Sequence, residues 1–144
     1  MSYTIKINQI EKSNVEKLDF NNIPLGRTFT DHMFICEFKT GKWQNPRVEP
    51  LRLIPTHPAA MALHYGQAIF EGMKATMDQE RTPMLFRPEK NAARLNFSAR
   101  RLGMPEFPED LFVEGLKQLV LLDKNWIPPA EGSAPVSYTH LTLP

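Results

Sequence analysis

The sequence predicts an α+β domain, in which a small antiparallel sheet is covered by two helices. Two pairs of strand-like segments occupy the first part of the chain, and two segments with a clear apolar helical face follow from residue 88 onward. Strands grouped first and helices grouped afterwards are typical of this class, because each element must bury its apolar face against another layer. A two-helix cover on a small sheet is a plausible subdomain, so we expect the domain to be incomplete.

The strand pairs are predicted from apolar runs and turn residues. In "HMFICEFKTGKW" the run from Met33 to Phe38 precedes a turn at Gly41, which predicts a strand entering a hairpin. The segment "RVEPLRLIP" is the candidate return strand. Further on, "FEGMKATM" and "TPMLFR" flank the polar "DQERT" and predict a second hairpin.

The first helix is predicted over "RPEKNAARLNFSARRLG". Pro88 suits a first helical position, Glu89 suits the positive end of the helix dipole, and Gly103 suits the C-terminal stop. Apolar residues recur at helical spacing and predict the buried stripe: Ala92, Leu95, Ala99 and Leu102.

The second helix is predicted over "PEDLFVEGLKQLVLLDKNWIPP". Glu109 and Asp110 lie in its first turn, and Pro128 and Pro129 are expected to end it. Its broad apolar face comprises Leu111, Phe112, Gly115, Leu116, Leu119, Val120 and Leu122.

The composition is that of an ordinary globular protein. Of 144 residues, 42% are hydrophobic and 23% charged, and the formal net charge is +1. A balanced charge gives no electrostatic reason to expect binding to nucleic acid or to an anionic membrane. No apolar run approaches the roughly 18 residues of a membrane-spanning helix. The single cysteine, Cys36, and a polar N-terminus without a signal peptide predict a cytoplasmic protein.

Several familiar chemical motifs are missing from the sequence. The four histidines show no metal-ligand spacing and Cys36 stands alone, so no zinc site is expected. The sequence contains neither of the glycine-rich phosphate loops, GxGxxG and GxxxxGK[ST], and no GxSxG nucleophile elbow.

One candidate site lies on the first helix. Arg94, Ser98 and Arg101 are spaced at i, i+4 and i+7, so they share one strip of the helix surface. A guanidinium presents paired donors that match two oxygens of a phosphate or carboxylate. From spacing alone, a solvated helix face is the more frequent explanation, and both remain open.

A second candidate lies in "LHYGQAIFEG", where aromatic and polar residues stand beside two glycines. Such a segment can line a pocket, but Tyr65 and Phe70 could equally fill a corner of the core. Lys74 is expected to be a surface lysine, because an isolated lysine in a strand is seldom a nucleophile. Asp31 could be a general base, although nothing in the sequence pairs with it.

Four segments in a fixed order carry a resemblance to a known family. They are "GRTFTDHMF", "LHYGQAIFEGMKA", "LFRPEKNAARLNFSARRLGMP" and "VLLDKNWIPPAEGSA". Together, from about Asp19 to Ala134, they resemble the N-terminal part of branched-chain amino acid aminotransferases, which belong to fold type IV of the pyridoxal-phosphate enzymes. Residues 1–134 are thus interpreted as part of an aminotransferase class IV domain.

The resemblance implies roles for four residues. Arg94 matches the arginine that grips the phosphate of pyridoxal 5′-phosphate, whereas Ser98 and Arg101 match no functional position. Phe29, Tyr65 and Phe70 match residues that line the pocket for the branched side chain of the substrate. The resemblance assigns no catalytic residue to this chain, because the family's catalytic lysine lies further along, in a second domain.

The activity implied is transamination. The amino group of L-leucine, L-isoleucine or L-valine passes through the cofactor to 2-oxoglutarate, as happens in branched-chain amino acid biosynthesis. The family also implies a homodimer of two-domain subunits. The preference among the three amino acids and the physiological direction stay open, and this chain alone is expected to be inactive.

The last ten residues depart from the resemblance. The family continues after "EGSA" with a strand near "LYIRP", whereas this chain has "PVSYTHLTLP". Back-translated, "VSYTHLTLP" matches a transposon-type adapter used to prepare DNA for sequencing. We therefore expect residues 135–144 not to be native, with Pro135 as a chimeric codon and the rest as translated adapter.

Two other functions are kept open by the sequence. The chain could belong to another fold-type-IV enzyme, a D-amino acid aminotransferase or an aminodeoxychorismate lyase, although the aromatic set argues against both. Alternatively, it could be a non-catalytic domain that binds an anion or a partner through Arg94 and Arg101. A full-length gene without the downstream lysine would favour the second alternative.

Overall fold

In the described part of the chain, two three-stranded sheets and three α-helices form the fold. The computed structural model describes residues 3–23 and 27–128, together with the backbone of 136–142. In chain order the strands are β1 (Lys6–Ile7), β2 (His32–Lys39), β3 (Lys42–Pro50), β4 (Ala68–Met77), β5 (Pro83–Leu85) and β6 (Val136–Thr142). The α-helices are α1 (Met61–Tyr65), α2 (Pro88–Arg101) and α3 (Glu109–Leu122), and short 3₁₀ turns lie at Val15–Lys17 and Lys124–Trp126.

The sheets are built mainly from the two predicted hairpins. β2 and β3 pair antiparallel around Thr40 and Gly41, which both have positive φ angles of 50° and 75°, as a tight two-residue hairpin turn requires. β1 adds to β3 in parallel, giving the order β1-β3-β2, and the second sheet has the order β5-β4-β6. The predicted α+β class is confirmed, with one parallel pairing in an otherwise antiparallel set.

β6 is formed by residues that the sequence interpretation assigns to adapter translation. Its backbone pairs antiparallel with β4, from Ala68 opposite Thr142 to Lys74 opposite Val136. Ladder hydrogen bonds join main-chain groups, which every residue except proline supplies in full. The pairing therefore does not test whether these residues are native.

The start and end of α2 follow the sequence prediction. Pro88 is the first helical residue, and Gly103 has a positive φ of 63° just beyond the end. The N–H of Gly103 donates to the carbonyl of Arg100, and the N–H of Met104 donates to the carbonyl of Ala99. This pair of bonds is the Schellman arrangement, which satisfies carbonyls that the end of a helix leaves without partners.

The core lies where α2 and α3 pack on each other and on the two sheets. It contains Ile69, Met73, Ala92, Leu95, Ala99, Met104, Phe107, Leu111, Phe112 and Leu116. Leu102, predicted in the α2 stripe, is instead 43% exposed because it follows the last helical turn. Asn96 is buried in that stripe, where its side-chain amide bonds the backbone N–H and carbonyl of Phe107 at 2.8 Å each.

α3 ends earlier than the prolines predict. The helix stops at Leu122, six residues before Pro128, and Asp123 caps a short 3₁₀ turn. The carboxylate of Asp123 accepts bonds from the backbone N–H and the ring of His32, at 3.0 and 2.6 Å. A tertiary contact to β2 therefore fixes the residue where the helix ends. Among the described helices, none is both long and apolar enough to cross a membrane.

Gly115 sets how closely α3 approaches β2. A Cβ atom at this position would lie 2.7–2.9 Å from three ring carbons of Phe34. Contacts shorter than 3.0 Å force a neighbour to move. The absence of a side chain at residue 115 is thus what allows the Phe34 ring to sit against the helix.

We predict that Gly115→Ala lowers the free energy of unfolding by about 1–3 kcal/mol, because overpacking a fitted core costs this much. The loss is expected even though alanine favours a helix over glycine by about 1 kcal/mol. Chemical denaturation measures the change. In a Phe34→Leu background the same substitution should cost much less, and a stabilising effect of Gly115→Ala in the native background would contradict the packing argument.

Candidate functional site

Arg94 lies on α2 and pairs with a carboxylate on the neighbouring strand. Its Nε donates to Oε2 of Glu71 at 2.7 Å, and its Nη2 donates to Oε1 of the same side chain. The Glu71 side chain is 4% exposed, whereas 66% of the Arg94 side chain is accessible to solvent. The pair therefore joins a buried anion to a cation at the surface.

Two further donors hold the Glu71 carboxylate. The side-chain amide of Asn91, one turn before Arg94, donates to Oε1 at 3.1 Å and to the carbonyl of Gly72 at 3.2 Å. The backbone N–H of Gly72 also donates to Oε1, at 3.0 Å. The hydrogen bond from Arg94, with those from Asn91 and Gly72, lowers the pKa of Glu71 despite its burial. The carboxylate is thus ionised at neutral pH.

Only one edge of the Arg94 guanidinium is used in this pair. A guanidinium carries five N–H donors, and the fork to Glu71 uses Nε and Nη2. The second proton on Nη2 and one proton on Nη1 form the end edge of the group, which matches two oxygens of a further anion. The bond to Glu71 also raises the pKa of Arg94, so the cation persists at any physiological pH.

The three predicted aromatic residues are all exposed. Phe29 precedes β2 and is 63% exposed, Tyr65 ends α1 and is 78% exposed, and Phe70 lies on β4 and is 68% exposed. The aromatic pairs found among the described residues are Phe34–Phe107, Phe38–Trp43 and Trp43–Phe107, so the contacts do not join the predicted three to one another. Their exposure excludes the alternative in which Tyr65 and Phe70 fill the core.

β4 separates the two kinds of predicted residue. Successive side chains of a strand point to opposite faces of the sheet. Ile69, Glu71 and Met73 are buried on the face covered by α2, whereas Phe70 and Lys74 are exposed on the other face. The Arg94 pair and Phe70 thus belong to opposite faces of one strand, and Lys74 is the surface lysine that the sequence predicted.

A second polar cluster surrounds Asp31 at the start of β2. Its carboxylate accepts hydrogen bonds from Ser13 Oγ at 2.5 Å, from Trp126 Nε1 at 2.8 Å, and from the backbone and side-chain amides of Asn14 at 3.0 Å. Burial would raise the pKa of Asp31, but these bonds outweigh it and lower the pKa below 3.8. Asp31 is therefore a fully bonded carboxylate, which is a poor proton acceptor.

His32 is fixed beside this carboxylate. Its Nδ1 lies 2.6 Å from Oδ1 of Asp123, and its Nε2 accepts the backbone N–H of Ile10 at 3.1 Å. With Nε2 as an acceptor, Nδ1 is the ring nitrogen that faces Asp123. A cavity of 160 Å³ adjoins these residues. Because the cluster satisfies its own hydrogen bonds, it anchors the N-terminal segment to β2 and the end of α3.

Comparison with curated proteins points to one family. The chain is 46% identical over 132 residues to branched-chain-amino-acid aminotransferase 2 of Bacillus subtilis (strain 168). The aligned residues make up 91% of this chain and 36% of the relative. It is 47% identical over 112 residues to a branched-chain-amino-acid aminotransferase of Mycolicibacterium smegmatis, covering 77% of this chain and 30% of the relative. The chain is a relative of the branched-chain-amino-acid aminotransferases. No family model matches it.

The similarity extends over only part of each aminotransferase. A third relative, branched-chain-amino-acid transaminase 1 of Bacillus subtilis, is 41% identical over 83% of this chain and 34% of its own length. The chain thus spans about a third of the length of the curated aminotransferases it matches.

The resemblance to the aminotransferases indicated Arg94 as a site residue, but it did not indicate the residues that hold Arg94 in place. Glu71 and Asn91 were missed, although the sequence carries a signal for Glu71. In "AIFEGMKATM" the residues that alternate with Phe70 and Lys74 are Ile69, Glu71, Met73 and Ala75, and a charged residue at a core-facing position of a strand needs a partner. Ser98 is half-buried, Arg101 is exposed, and neither belongs to the pair.

Across the described part of the chain, no group of three or more His, Cys, Asp or Glu side chains could hold a metal ion.

The lowered pKa of Asp31 predicts how stability responds to pH. Its contribution is fully present above 3.8, the ordinary pKa of an aspartate, and is lost as pH falls through the lower folded value. Asp31→Asn should lower the free energy of unfolding at pH 7 by about 1–3 kcal/mol, because an NH2 donor replaces one of the two oxygens that accept hydrogen bonds. Urea denaturation at a series of pH values measures this loss.

The difference between the two proteins should shrink below about pH 4, because the unfolded carboxylate takes up a proton there while the folded one keeps its charge to lower pH. Glu16→Gln is the matched control, since Glu16 is an exposed carboxylate on the N-terminal segment that donates to Asp31. A difference that stays constant down to pH 2 would show that the charge of Asp31 contributes nothing.

Proposed function

We propose that this chain is the N-terminal part of a pyridoxal-phosphate-dependent branched-chain amino acid aminotransferase. The proposed reaction moves the amino group of L-leucine, L-isoleucine or L-valine to 2-oxoglutarate. The observation that carries the proposal is the 40–47% identity to curated branched-chain-amino-acid aminotransferases over most of this chain. Residues 1–134 are proposed to form part of the class IV domain, and the catalytic lysine is expected in the part of the relatives that this chain does not match.

Arg94 is the residue proposed to hold the cofactor. The test of fit is the chemistry of its donors: the Nη1 edge lies at the surface and has the two-donor geometry that suits a phosphate. Pyridoxal 5′-phosphate, when bound, supplies an electron sink for the carbon that loses its proton. Arg94 would contribute binding and orientation of the phosphate and would take no part in proton transfer.

Phe29, Tyr65 and Phe70 are proposed to line the substrate side-chain pocket. Each is more than 60% exposed, so each is available to contact a ligand or another part of the protein. An apolar wall favours a branched side chain by about 0.8 kcal/mol for each methylene that it buries. The same wall rejects charged side chains, because it cannot replace their hydration.

The proposal extends to the setting of the protein. We infer a homodimer of longer subunits in the cytoplasm, in keeping with the resemblance and with a single cysteine in the sequence. We also propose that residues 135–144 are not encoded by the natural gene. Resequencing the source locus across codon 135 tests this last point, and finding "PVSYTHLTLP" in clean genomic DNA would refute it.

The activity can be assayed directly. The full-length protein from the source gene should form glutamate from 2-oxoglutarate with L-leucine, L-isoleucine or L-valine, and should leave D-alanine unused. The purified 144-residue chain is expected to be inactive, since it contributes one wall of the pocket and one grip on the cofactor. Preference for D-alanine would favour a different fold-type-IV enzyme, and turnover by the 144-residue chain would contradict the proposed division of the site.

The pocket assignment predicts the effect of shortening Phe70. In the full-length protein, Phe70→Ala should lower kcat/KM for L-leucine by about tenfold or more relative to L-alanine, because losing part of an apolar pocket costs about 1–3 kcal/mol in discrimination. Phe97→Ala is the matched control, since Phe97 is an aromatic residue on α2 that is 59% exposed. If both substitutions change kcat/KM for L-leucine relative to L-alanine equally, Phe70 does not line the pocket.

A further inference from the structure

A buried carboxylate stands at a strand position where the alternation calls for an apolar residue. Glu71 shares the helix-facing side of β4 with Ile69, Met73 and Ala75, and it is as deeply buried as they are. An ionised carboxylate in such a place costs free energy unless its oxygens are paired and hydrogen-bonded. The burial of Glu71 is therefore explained by the groups that its carboxylate binds.

The carboxylate is anchored independently of Arg94. The N–H of Gly72 and the amide of Asn91 both donate to Oε1, at 3.0 and 3.1 Å, and Asn91 is itself bonded to the carbonyl of Gly72. Strand and helix thus fix the direction of the carboxylate before Arg94 is considered. Its Oε2, and Oε1 as a shared acceptor, then form a two-oxygen face toward the guanidinium.

The guanidinium would otherwise be free to move. A side chain that is 66% exposed samples many rotamers in water, and an arginine that is ordered on binding a ligand loses that entropy at the moment of binding. The fork to Glu71 restrains the guanidinium plane in advance, because both of its N–H···O bonds must be kept. The outer edge of Arg94 consequently faces one direction.

We propose that Glu71 is a positioning residue that orients Arg94 to receive the phosphate of the cofactor, an inference that rests on the proposed function. Glu71 does not itself touch the phosphate, and its negative charge opposes an incoming dianion. Its contribution is therefore geometric. Orientation and charge predict opposite outcomes when the carboxylate is neutralised, and this difference makes the inference testable.

The test measures cofactor affinity in the full-length apoprotein. Dissociation constants for pyridoxal 5′-phosphate and for pyridoxal, which lacks the phosphate, are determined by fluorescence titration for the native protein and for Glu71→Gln. We expect Glu71→Gln to weaken binding of the phosphorylated form by about three- to tenfold, since one long side chain must then be ordered on binding. Binding of pyridoxal should be unchanged.

Other results would overturn the inference. Unchanged or tighter binding of pyridoxal 5′-phosphate would show that orientation by Glu71 is unimportant. An equal loss for both ligands would show that Glu71 only supports the fold. If Glu71→Gln does not fold, Glu71→Asp decides: it keeps the charge but withdraws the oxygens from Arg94, and it should produce the same phosphate-specific loss. If Glu71→Asp leaves the ratio of the two dissociation constants, for pyridoxal 5′-phosphate and for pyridoxal, unchanged, the inference is refuted as well.

Two further variants separate this inference from the proposed function. Arg94→Gln should abolish most of the preference for the phosphorylated ligand. If the preference remains, Arg94 does not bind the phosphate, and the proposed role of Arg94 in the function is wrong. If Arg94→Gln shows a phosphate-specific loss and the Glu71 variants do not, only the role of Glu71 is refuted. Glu106→Gln is the matched control, because it breaks another Arg–Glu pair, to Arg100, and should affect neither ligand.

Discussion

A carboxylate buried between a strand and a helix is the constraint on which the candidate site depends. Glu71 occupies the core-facing side of β4, and its charge is tolerated because Arg94, Asn91 and Gly72 all donate to it. Asn91 and Arg94 are three residues apart and so lie one above the other on α2. These bonds join α2 to β4 on the face where Ala92, Leu95 and Ala99 also pack into the core.

The same strand supports two different surfaces. Because side chains alternate, Phe70 and Glu71 are neighbours in sequence but belong to opposite faces of the sheet. An apolar aromatic side chain is exposed on one face, and an oriented cation is held at the other. Under the proposed function, β4 connects the group that selects the substrate side chain with the group that holds the cofactor, and the tight core beneath α2 and α3 keeps that connection rigid.

Local signals in the sequence predict much of this domain, and long-range contacts account for what they miss. Pro88 and Gly103 define α2 because their effects on the backbone are local, and the turn at Gly41 defines the first hairpin for the same reason. The end of α3 was predicted too far along, since Asp123 is held by His32, 91 residues away. The helical spacing and the family resemblance both indicated Arg94. They did not indicate its partner Glu71, because the pairing of β4 with α2 is a tertiary contact that local sequence does not encode.

The buried Asp31 cluster shows the same limit. The sequence offers Asp31 as a possible base with no partner, and the structure surrounds it with Ser13, Asn14 and Trp126 from segments distant in the chain. A carboxylate with every oxygen bonded stabilises the fold and is ill suited to accept a proton. The bonding partners of Asp31 and Glu71, more than their residue type, thus decide which of these two carboxylates belongs to the candidate site.

Under the proposed function, Glu71 holds one edge of Arg94 while the other edge binds the cofactor phosphate. A crystal structure of the full-length protein with pyridoxal 5′-phosphate tests it most directly. We expect the Nε and Nη2 bonds to Glu71 to persist and Nη1 to lie within about 3.2 Å of a phosphate oxygen, the limit of a good hydrogen bond. A phosphate bound away from Arg94, or an Arg94 that leaves Glu71 to reach it, would contradict the account.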